Sequence, residues 1–121
     1  MNAVPSFAGH GYGSNVVRTA RDAEYDVFSR VTRMLRQAAE EDNGPDLIAA
    51  VHKNNELWTI LAADLAGSGN GLPDDLRAGL LSLAGFSLRH GHLAISRKAK
   101  VDPLIDINIA VMRGLRHEAA A

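Results

Sequence analysis

A chain of 121 residues, 46% hydrophobic and 22% charged, has the size and balance of one soluble globular domain that can bury a core without covalent staples. A net charge of −1 signals no nucleic-acid or membrane surface as partner. The absence of cysteine excludes disulfides, thiol catalysis and zinc–thiolate sites, and suits a reducing compartment. The opening MNAVPSFAGHGYGSN lacks the charged start and apolar centre of a secretory signal. No apolar run approaches the roughly 18 residues of a membrane span, so the expected location is the cytoplasm, with no membrane insertion.

Apolar spacing is helical nearly everywhere, β-branched residues are scattered, and there are no internal repeats. The expected fold is all-α: a compact bundle of about four helices, approximately 16–41, 45–66, 73–97 and 102–115. Residues 1–14 form an expected flexible N-terminal arm, because Gly9, Gly11 and Gly13 around His10 and Tyr12 resist regular structure. Residues 15–121 form a single helical domain.

In the first helix, Thr19 followed by Asp22 resembles a capping box. Ala20, Ala23, Val27, Val31, Met34 and Ala38 give the inward stripe, with Phe28 and Leu35 beside it, and Asn43 and Gly44 end the helix. The turn to the second helix is short, so the two should lie antiparallel. That second helix is the expected centre. Leu47, Val51, Asn54, Trp58, Leu61 and Leu65 share one stripe that holds the only tryptophan. Pro45 suits its first position and the glycines at 67, 69 and 71 end it.

Pro73, Asp74 and Asp75 open the third helix, where the dipole favours carboxylates. No charge lies between Leu80 and Leu88, so this helix is expected to be buried on more than one side. Gly79, Gly85 and Gly91 imply close approach of neighbours or modest local stability. Arg97, Lys98 and Lys100 suit its C-terminal end. Asp102 caps the fourth helix and Pro103 takes its first position. Leu104, Ile107, Val111 and Leu115 form one stripe there, and Ile105, Ile109 and Met112 form another. So short a helix with two apolar stripes must dock on the bundle or on a partner.

Few residues of the sequence point to chemistry. His90 and His92 fall on different helix faces, and no H-E-x-x-H or carboxylate pair accompanies them. The glycines at 67, 69 and 71 lack the lysine and preceding strand of a phosphate loop. No nucleophile constellation is present. The sequence therefore reads as a non-enzyme with no metal, no cofactor and no small-molecule substrate. Arg89, Arg97, Lys98 and Lys100 are the one basic cluster. No aromatic residues interleave with them to stack bases, so a solvated helix end is favoured over direct RNA binding. Asn54 and Asn108 each interrupt an apolar stripe. A buried amide must be hydrogen-bonded. Such bonds either fix register across helices, as a buried asparagine does in coiled coils, or hold the backbone of an inserted partner helix. Asn55 falls on another face and is expected to be exposed.

Three stretches carry a family resemblance: N-x-x-L-W at Asn54, Leu57 and Trp58, then Asp64 and Leu65; L-P-x-x-L-R-A from Leu72 to Ala78, then Ser82 and Leu83; and V-D-P-L-I-D-I-N-x-A-x-M-R-G-L from Val101 to Leu115. Tyr12 with Arg21, Asp22 and Glu24 fits the opening of the same pattern, which departs at Ala20, where proline is expected. In order and spacing the chain resembles the flagellar biosynthesis regulator FlaF family of α-proteobacteria. The resemblance implies a protein that binds flagellin in the cytoplasm as an export chaperone and promotes flagellin synthesis and secretion with FlbT. The alternative is a post-transcriptional regulator acting through FlbT or the flagellin messenger. Flagellin's terminal segments are amphipathic and disordered before assembly, which suits helix-in-groove recognition. On that reading the expected groove is bordered by Phe28, Leu35, Trp58, Ile105, Ile109 and Met112, with Asn54 free to bond an inserted helix and the last helix as a movable element.

Overall fold

The computed structural model describes the backbone of residues 14–42 and 44–120, and the side chains of 24–42 and 44–114. It contains α1 (Ser14–Glu41), α2 (Gly44–Ala66), α3 (Asp74–Ile95) and α4 (Asp102–Ala120), and no strand among the described residues. The expected four-helix, all-α architecture is the one observed. The arm expected over 1–14 lies outside the described residues except for Ser14, the first residue of α1. Helix α4 continues past its expected end at 115 to Ala120.

Each helix packs on two neighbours. Helix α1 meets α2 and α4, and α3 meets α2 and α4, the last seam being the sparsest. The connections are short, so successive helices alternate in direction. Ala50, Val51, Asn54, Leu57, Trp58, Leu61 and Leu65 of α2 are buried, so this helix is central, as its stripe predicts. The Phe28 ring meets the Trp58 indole edge-on at 5.7 Å and 80°, a geometry the ring quadrupoles favour.

Helix α1 is rotated from its expected setting. Glu24, Phe28, Val31, Leu35 and Ala38 form the buried line, and Met34 is 39% exposed. The helix turns its two largest apolar groups, Phe28 and Leu35, onto Trp58 and the core, because enclosing them removes more apolar area than enclosing Val27 and Met34 would.

Helix α3 also departs from expectation: it is buried on one side only. Its buried line is Ala84, Ser87, Gly91 and Ala94, all small, whereas Leu76, Phe86 and Leu93 are exposed. Small residues let the α3 backbone approach α2. The closest approach is at Gly91, where a Cβ would lie 2.5 Å from Asn55 Oδ1. Asn55, expected to be exposed, is half-buried, and its Oδ1 is enclosed without a hydrogen bond among the described residues. Gly79 has no neighbour that a Cβ would meet, and Gly85 would meet only Arg89 of its own helix. One of the three glycines therefore marks a close approach.

Gly91→Ala is expected to destabilise the fold by about 1–2 kcal/mol, the clash at Asn55 outweighing the gain of about 1 kcal/mol in helix propensity. Adding Asn55→Ala should restore stability to at least the wild-type level. Urea unfolding of both variants checks this, and Gly91→Ala alone being stabilising would show that the contact does not constrain the helices.

The loops are pinned by side chains. Asn70 Nδ2 donates to Asp64 Oδ2 (3.1 Å), and the Leu72 N–H donates to Asn70 Oδ1 (3.0 Å), an Asx turn that aims the chain into Pro73 and α3. At the other end of α3 the Lys98 N–H reaches the Leu93 carbonyl (2.8 Å), closing a Schellman turn with Arg97 at φ 61°. The Arg97 guanidinium lies over Gly44, where any Cβ would collide with it, so the end of α3 is set against the start of α2.

Candidate functional site

The nominated residues fall into two groups. Phe28, Leu35, Asn54 and Trp58 are each 0% exposed, so in this conformation they are core and present no surface to a partner. Ile105, Ile109 and Met112 are half-buried along one side of α4.

The two interrupting asparagines meet. Asn108 Nδ2 donates to Asn54 Oδ1 (2.8 Å), the Trp58 indole N–H donates to Asn108 Oδ1 (2.9 Å), and Asn54 Nδ2 donates to Ser87 Oγ (3.3 Å). Both asparagines and the two residues that flank them, Trp58 and Ser87, are 0% exposed. A connected polar layer thus joins α2, α3 and α4. Of the two readings of these amides, the bond across helices is the one present. Each asparagine uses one amide N–H and its carbonyl oxygen in this layer, and together these bonds hold α4 to one axial setting and one rotation.

The open apolar surface lies elsewhere, in the crease between α1 and α2. One cavity of about 330 Å³ is lined by Val27, Val31, Met34, Leu57 and Ile60, with Arg30, Lys53 and Glu56 at its sides. A second, of about 190 Å³, continues past Met34 between Gln37, Ala38, Glu41, Asp46 and Ala49. Met34 and Ile60 are each 39% exposed. Sequence reasoning placed Val27 and Met34 inward and did not single out Ile60. The available signal was Ile60 itself, an isoleucine off the buried stripe of α2.

The basic cluster is solvated: Arg89, Arg97, Lys98 and Lys100 are exposed. His90 Nε2 lies 2.6 Å from the Lys100 carbonyl. A carbonyl only accepts, so the ring donates and ties α3 to the loop before α4. The Phe86 ring stacks on His90 at 5.4 Å. No group of three or more His, Asp or Glu among the described residues could hold a metal ion. No described helix is long and apolar enough to cross a membrane. The arrangement offers packing surfaces and structural hydrogen bonds.

No curated protein and no solved structure matches the chain. The family model described as flagellar protein FlaF matches residues 11–115. That stretch takes in α1, α2 and α3 whole, α4 as far as residue 115, the polar layer and both walls of the crease, and on that match the chain belongs to the FlaF family of flagellar proteins.

Proposed function

We propose that this flagellar protein binds flagellin in the cytoplasm as an export chaperone, and promotes flagellin synthesis and secretion together with FlbT. The observation that carries the reading is the family match across residues 11–115. The physical setting agrees with it. A bundle with a hydrogen-bonded core and an open apolar crease can hold an amphipathic segment and release it without unfolding. Binding alone suffices for this role, without catalysis, metal or cofactor.

Co-purification with the flagellin of the same organism, followed by size-exclusion chromatography at low and high salt, tests the reading. A one-to-one complex at both salts is expected, because apolar burial is not screened by salt. Absence of that complex, with binding instead to FlbT or to the flagellin messenger, would favour the regulatory alternative. The exposed Arg89, Arg97, Lys98 and Lys100 are the surface for that second reading, and messenger binding through them should weaken steeply with salt.

A further inference from the structure

We infer that the α1–α2 crease is the seat of a single amphipathic helix from the partner, about four turns long, bound with its cationic end beside Glu41. The inference rests on the reading above for the partner's identity. The seat and its polarity come from the crease itself.

From Val27 to Glu41 the crease follows α1 for about 21 Å at about 1.5 Å per residue, and Met34 lines both of its cavities. Its floor is apolar: Val31, Ala38 and Leu57 are buried, while Met34 and Ile60 stand half out of the surface on opposite walls. These residues need a ridge to fill the space between two cylinders, and the side chains of one helix at i, i+4, i+7 and i+11 supply one.

Charge sets the direction. The cavity at the Val27–Ile60 end is lined by two cations, Arg30 and Lys53, and one anion, Glu56. The cavity at the other end is lined by Glu41 and Asp46 and by no cation, and Glu41, bonded by the neutral Gln37 amide at 3.4 Å, supplies the net charge of that end. Lys53 and Glu56 are paired at 3.4 Å, which leaves Arg30 as the net charge of the first end. The crease is therefore positive at one end and negative at the other, and a helix with acidic residues at one end and basic residues at the other complements it in one orientation.

A second copy of this chain fits less well. Crease against crease around a two-fold axis would bring opposite charges together, but it would face one hollow with another and leave both empty. The outer face of α3, with Phe86 and Leu93 exposed, could enter another copy's crease only head to tail, in an open chain.

The test measures affinity of the full chain for purified flagellin. Met34→Glu with Ile60→Glu places two charges in the seat without touching the enclosed core. The helical circular dichroism and urea midpoint should stay near wild type, and affinity should fall by roughly 30-fold or more. Glu41→Lys should weaken binding about 3- to 10-fold at low salt, with the difference fading at high salt. Phe86→Ser with Leu93→Ser should bind as the wild type does. Crease variants that bind within about twofold of wild type, while wild type binds, would overturn the seat. So would loss of binding in the α3 variant instead, or a wild-type dimer that the crease variants abolish. An indifferent Glu41→Lys would overturn the orientation. No binding by the wild type overturns the flagellin reading and this inference with it.

Discussion

Trp58→Ala is expected to cost about 4–8 kcal/mol of unfolding free energy. Removing an enclosed indole costs about 3–5 kcal/mol in lost burial and cavity, and it leaves Asn108 Oδ1 without the donor it holds at 2.9 Å, about 1–3 kcal/mol more. Single domains have about 5–15 kcal/mol in total, so the variant should be partly unfolded at room temperature. Urea unfolding followed by far-ultraviolet circular dichroism checks this. Trp58→Phe separates the two contributions. It keeps much of the volume and the edge-on neighbour Phe28 but loses the N–H, and should cost about 2–4 kcal/mol, between the wild type and the alanine variant. A loss below about 1 kcal/mol for Trp58→Ala would show that the indole is not enclosed at the centre of the bundle.

The second large effect belongs to the asparagine pair. Asn108→Leu orphans the Trp58 N–H and Asn54 Oδ1, two buried groups, and should cost about 2–5 kcal/mol. Asn54→Leu removes the acceptor for Asn108 Nδ2 (2.8 Å) and the donor to Ser87 Oγ (3.3 Å), and should cost about 1–3 kcal/mol. Both changes together leave only the Trp58 N–H and the Ser87 hydroxyl to satisfy. The double variant should therefore lose less than the sum of the singles, with a coupling of about 1–3 kcal/mol. Equilibrium unfolding of the four proteins gives that coupling directly, and additive losses would show that the two amides do not share a bond.

Much of this layer was legible beforehand. The stripe of α2 required Asn54 to be inside and the stripes of α4 required Asn108 to interrupt them, so two buried amides in need of partners could be read from spacing alone. Their mutual pairing was not legible, because nothing local sets which rotation of α4 faces α2. The setting of α1 failed for a related reason. Two overlapping apolar lines, one through Val31 and Met34 and one through Phe28 and Leu35, fit one periodicity, and only the neighbours decide between them. Helix α3 differs from its expected setting because an uncharged segment reads as buried all round. In fact Ala84, Ser87, Gly91 and Ala94 make the contact and leave Phe86 and Leu93 outside. The crease follows from the setting of α1: once α1 turns Phe28 and Leu35 inward, Met34 and Val27 are left at the seam with α2. A binding surface made from residues that just miss the core carries no periodic signal of its own.

The solitary indole gives the molecule an optical gauge of its own interior. Trp58 is the only tryptophan, and its N–H is held by a residue of α4. Its emission and its accessibility to a dissolved quencher therefore report whether α4 is seated. A tryptophan-free peptide that settles into the α1–α2 crease should leave that signal unchanged, because the indole stays enclosed behind Phe28 and Asn108. One that displaces α4 should redden the emission and admit the quencher. A single fluorescence titration thus distinguishes a partner carried on the outside of this bundle from one that takes the place of its last helix.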